Sequence, residues 1–182
     1  VRVMQFAEKH PSLRLDVVSG LGNNFAIDLN AGHIDVAFSA YIGQEADTVL
    51  LSPLLEEDWA IVGCAKNQRL SSATSLRDLE NARWLIGRNI ELMEDKIAAS
   101  FADAGMPVPQ PGIMTNSALF SARGLRGSDY LSILPVSMAE NLHGLQWRDL
   151  SDGAWKTPIY LMRRKRAHQD QWVQALLAAV GR

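Results

Sequence analysis

Short apolar, β-branched runs alternate with segments of helical periodicity along almost the whole chain. This alternation limits the possible folds more than any single motif does, because strands separated by helices return to a shared sheet through crossover connections. Within residues 1–11, Val3, Phe6 and Ala7 share a helical face and Pro11 forbids continuation, so a helix ends there. Leu13 to Val18 alternates apolar and charged residues, which predicts a strand stopped by Ser19-Gly20. Asn23 and Asn24 are N-cap candidates for a helix over about 24–31, and Gly32 is its C-cap. Ile34 to Phe38 then has the length and composition of a strand. With the helix as crossover, the two strands are expected to lie parallel.

The remainder follows the same rhythm. Val49 to Leu55 and Trp59 to Val62 predict extended segments interrupted by the acidic Glu56-Glu57-Asp58. Ser75-Leu76-Arg77-Asp78 fits a variant capping box and predicts a short helix. Trp84 to Ile86 reads as a strand ended by Gly87, and Met93 to Ala104 as a helix closed by Gly105 with Pro107 beyond. Ser117 to Leu125 is a helix, Tyr130 to Leu134 a strand stopped by Pro135, and Val136 to Leu142 a helical turn. Pro158 to Met162 is the last strand, and His168 to Val180 the last helix, with Trp172, Leu176 and Val180 at spacing four. The predicted class is α/β with mainly parallel sheet.

Composition narrows the function. With 182 residues, 47% hydrophobic and 21% charged, the chain has a globular composition that excludes collagen, coiled coil and disorder. Eighteen basic against twenty acidic residues leave a net charge of −2, which gives no general attraction to nucleic acid or an anionic membrane. The longest apolar stretches, such as Ala175 to Val180, fall far short of the roughly 20 residues of a membrane span. The lone Cys64 can form no internal disulfide, which favours a reducing, cytoplasmic setting. The chain opens without Met and inside a helix, as expected of a piece of a longer protein.

Catalytic and cofactor motifs are missing. Gly20-Leu21-Gly22 sits between a predicted strand and helix, but Phe25 occupies the place of a third glycine and there is no Walker lysine. Two readings remain for this turn: the amides near Gly22, Asn23 and Asn24 receive an anionic group of a ligand, or they form a tight turn and cap. His10, His33, His143 and His168 show no metal-ligand spacing, and no Gly-x-Ser-x-Gly elbow or base for Cys64 is present. No metal, cofactor or catalytic set is therefore expected. Arg163-Arg164-Lys165-Arg166 reads as a solvated strand end rather than a nucleic-acid patch. More informative are polar residues just beyond strands or at helix starts: Ser39 and Tyr41, Arg88 and Asn89, and Asn116 with Ser117. They could converge on a small polar ligand, or each could serve only as a cap.

In order and spacing these segments resemble the effector-binding domain of LysR-type transcriptional regulators over essentially all 182 residues. The residues that carry the resemblance begin with His10-Pro11, Leu13 to Ser19, Gly20, and Gly32-His33-Ile34-Asp35 running into Val36-Ala37-Phe38. They continue through Pro53-Leu54-Leu55 to Ile61-Val62, Ser75-Leu76-Arg77-Asp78-Leu79, and Leu131-Ser132-Ile133-Leu134-Pro135. Pro158-Ile159-Tyr160-Leu161, then Arg163-Arg164-Lys165 and the terminal helix, complete the pattern. Leu21 departs from it, where many members carry a hydroxyl residue, as does Gly127-Ser128-Asp129-Tyr130.

The resemblance implies a two-subdomain fold similar to type 2 periplasmic binding proteins, with mainly parallel sheets and two crossover strands as hinge. Subdomain I is expected at about 1–57 plus 158–182, and subdomain II at 58–157. A small-molecule effector, with Arg88 suited to a carboxylate, would lie in the cleft between them, and the chain would act in a homo-oligomer, a dimer or tetramer. DNA would be touched only through a winged helix-turn-helix, expected with a linker helix and a first strand before Val1. Two competing functions share the fold class: a solute-binding protein of a transport system, and a small α/β enzyme. The second would need a convergent acid, base or nucleophile, and none is found.

Overall fold

The computed structural model describes residues 2–19, 25–40, 48–87, 93–165 and 171–180. They separate into two compact units, Val1–Leu55 with Pro158–Arg182, and Glu56–Thr157. Both boundaries fall inside strands: β2 (Val49–Cys64) and β7 (Trp155–Arg164) each begin in one unit and end in the other.

The first unit opens with α1 (Arg2–Lys9), which buries Phe6. The chain leaves the helix where His10 donates its amide to the Ala7 carbonyl at 3.1 Å, one residue before Pro11. The His10 ring lies 4.5 Å from Phe6 and 5.4 Å, edge on, from Trp172 of α7 (Gln171–Val180). Arg2 Nη1 donates to the Val180 carbonyl at 2.9 Å. Helix α2 (Phe25–Ala31) buries Ala26 and Leu29, and Gly32 ends it with φ +78°, a left-handed conformation that favours glycine. Strand β1 (Val36–Ser39) pairs antiparallel with β7, Val36 opposite Arg163 and Ser39 opposite Tyr160. The core of this unit joins Ala26 and Leu29 to Ala37, Val49 and Met162.

Two expectations are corrected here. Residues 13–19 form no strand, and Val17 and Val18 remain 79% and 61% exposed. Alternation specifies a face for an extended segment but supplies no partner, and no described residue pairs with this one. Conversely, Glu56-Glu57-Asp58 does not interrupt β2, which runs unbroken for 16 residues. The carboxylates are accommodated at the surface of the strand: Asp58 lies 3.1 Å from Lys156 Nζ, and Glu57 accepts the Ser137 amide at 3.3 Å.

In the second unit the rest of β2 pairs antiparallel with β5 (Tyr130–Pro135) and with β6 (Leu145–Arg148). Strand β3 (Arg83–Gly87) lies parallel to β5 on one side and to β4 (Pro111–Thr115) on the other. The pairing is thus mixed. The parallel pairs are those joined by helical crossovers, α4 (Glu94–Asp103) between β3 and β4, and α5 (Ala118–Arg126) between β4 and β5. Successive residues face opposite sides of a strand. Ile61, Ile133, Trp84 and Ile86 accordingly meet Ile97 and Phe101 of α4, while Val62 and Leu134 meet Leu125 of α5 and Ala139 of α6 (Val136–Glu140). Trp84 and Phe101 stand edge to face at 5.9 Å.

Leu70 of α3 (Gln68–Ser72) and Leu76 and Leu79 of a single 3₁₀ turn (Leu76–Leu79) complete the larger cluster. The expected capping box at this turn is present: Asp78 Oδ2 accepts the amides of Thr74 at 2.8 Å and Ser75 at 3.0 Å.

Candidate functional site

Because β3 and β4 are parallel, their carboxyl ends lie at the same edge of the sheet, and each leads toward a helix. In open α/β sheets this edge is where ligands bind. The turn from β4 to α5 is built from Thr115, Asn116 and Ser117. Ser117 Oγ accepts the Phe120 amide at 3.2 Å and caps α5, while its own amide donates to Thr115 Oγ1 at 3.0 Å. Asn116 stands between these two closed contacts. It is exposed, and its carboxamide, which carries both a donor and an acceptor, makes no hydrogen bond to a described residue. Ser117 is thereby committed in part to the cap, and Asn116 is the more available of the two.

Ser39 belongs to the other unit, as the last residue of β1, and is 8% exposed. Gly22, Asn23, Asn24, Tyr41 and Arg88, together with Asn89, lie outside the described residues. Of the expected ligand residues, then, the structure brings Asn116 and Ser117 into one turn. Thr115, whose hydroxyl shapes that turn, was not anticipated. The signal for it is a hydroxyl two residues before an N-cap serine.

The remaining candidates have structural roles. Arg163 and Arg164 are half-buried on β7 rather than fully solvated, and Arg164 Nη2 lies 3.4 Å from Asp35 while its guanidinium reaches over Gly32. Cys64 Sγ donates to the Arg126 carbonyl at 3.1 Å. Among the described residues no group of three His, Cys, Asp or Glu side chains could hold a metal ion. Two charged groups are displaced from their ordinary titration range. Amide hydrogen bonds from Thr74 and Ser75, with the Thr74 hydroxyl, hold the Asp78 carboxyl below its usual value, and the hydrogen bond and charge of Asp58 raise Lys156. Neither is near the β4–α5 turn in sequence. A cavity of about 430 Å³ is present in the second unit, but Ser117 and Asn116 do not line it.

Two α/β units linked by a pair of strands that each run from one into the other, with parallel strands feeding helix starts, define a type 2 periplasmic-binding-protein-like domain. Residues 2–182 match the family model described as the LysR substrate binding domain, and the chain belongs to that family. It is 24% identical to the HTH-type transcriptional regulator GalR of Pseudomonas putida, a match that covers 98% of this chain and 46% of that protein. The chain thus spans about half the length of this curated relative. Among solved structures, it is similar to the effector binding domain of QuiR in complex with shikimate, with TM-score 0.76 and 17% identity over 99% of this chain and 87% of that one. It is also similar to full-length CbnR complexed with its target DNA, with TM-score 0.72 and 18% identity over 98% of this chain and 62% of that one. Among the described residues no helix is long and apolar enough to cross a membrane.

Proposed function

We propose that this chain is the effector-sensing part of a LysR-type transcriptional regulator, binding a small molecule rather than transforming one. The observation that carries this reading is the match of residues 2–182 to the LysR substrate binding domain, on a fold whose parallel strands end at the exposed carboxamide of Asn116. In this reading Ser39, Asn116 and Ser117 act with Gly22, Asn23, Asn24, Tyr41 and Arg88. The arginine supplies charge for a carboxylate. QuiR's similar domain, in complex with shikimate, supports the existence of such a site.

The two unit boundaries would act as the hinge. A ligand moves such an equilibrium only by its differential affinity for the two arrangements, and a swing from 1:99 to 99:1 requires a preference of roughly 10⁴-fold. The protein would work in the cytoplasm as a homodimer or tetramer. Exposed apolar side chains in both units support association: Val17 and Val18 in one, Leu119 at 65% and Phe120 at 50% exposure in the other. With a net charge of −2, DNA contact is assigned to a winged helix-turn-helix upstream of this segment.

The test is binding of the complete regulator to DNA from its own promoter, followed by fluorescence anisotropy with and without each member of a small-carboxylate library. A compound that raises the melting temperature of this domain and changes DNA affinity supports the proposal. A complete protein that carries an export leader and binds no DNA overturns it in favour of solute transport.

A further inference from the structure

We draw no further inference here: the strongest candidate, the exposed apolar patch that Leu119 and Phe120 form on the first turn of α5 with Arg123 one turn on, carries nothing because nothing in the structure shows what covers it.

Discussion

The indole Nε1 of Trp59 donates to the Thr157 hydroxyl at 2.9 Å, and both residues are buried. One stands on β2 and the other on β7, each just inside the second unit, where the two strands that link the units arrive. One residue away, Asp58 and Lys156 form an exposed ion pair between the same strands at 3.1 Å. The buried contact is the stronger constraint, because its donor has no access to water once the acceptor is removed.

Thr157→Val keeps the shape of the side chain and strands the indole N–H. The expected cost is about 1–3 kcal/mol of unfolding free energy, read from the urea midpoint, with Thr157→Ser recovering most of it. An unchanged midpoint in the valine variant would show that the indole finds another acceptor.

Much of this architecture is legible in the sequence, for reasons that differ by element. Strands β3 and β5 are apolar runs closed by Gly87 and Pro135, and their interior position makes their pattern unambiguous. Strand β4 is not, because Pro111-Gly112 reads as a break, although proline is tolerated as the first residue of an edge strand. Strand β6 has four residues and α3 five, too short for a period to show. Leu13 to Val18 has the pattern of a strand without a partner among the described residues. Of the residues proposed for the ligand, Asn116 and Ser117 are legible as a pair because they are local to one helix start. Which residues from distant segments join them is a property of the tertiary fold, and no local pattern encodes it.

Asn116→Ala and Arg88→Ala should each weaken binding of whichever carboxylate the effector screen identifies, by about ten-fold or more for the arginine, whose hydrogen bonds to a charged group contribute roughly 1.5–3 kcal/mol. Asn116→Ala should leave the melting temperature nearly unchanged, since Asn116 is exposed and bonds no described residue. Isothermal calorimetry decides the matter: unchanged affinity in both variants would remove these residues from the site.

Asp78 makes the stability of the second unit sensitive to acid. Its folded carboxyl is held below the ordinary value of 3.8 by the Thr74 and Ser75 amides. A carboxyl lowered on folding stabilises the protein above its unfolded pKa, and that contribution is lost as pH falls through the lower, folded value. Asp78→Asn should therefore melt earlier than the parent at pH 7, with the gap narrowing from about pH 4 downward. Thermal melts at pH 7, 4 and 3 test this, and a gap that stays constant with pH would assign the effect to something other than the carboxylate.

Gly32 closes α2 with φ +78°, and a Cβ built there would sit 3.1 Å from Arg164 Nη1. The two features carry different penalties. The arginine is the far end of a flexible side chain and can move, though doing so disturbs its 3.4 Å contact with Asp35. The backbone cannot move without unwinding the helix end, where the His33 amide donates to the Asp28 carbonyl at 2.9 Å. Gly32→Ala should thus cost about 1–2 kcal/mol, the ordinary penalty of a left-handed conformation for an L-residue. Asp35→Ala, which releases the arginine without straining the backbone, should cost no more than about 1 kcal/mol as a surface ion pair. If the double variant loses no more than Gly32→Ala alone in urea denaturation, the arginine contact has already been given up in the glycine variant. If the two losses add, the backbone strain acts independently of it.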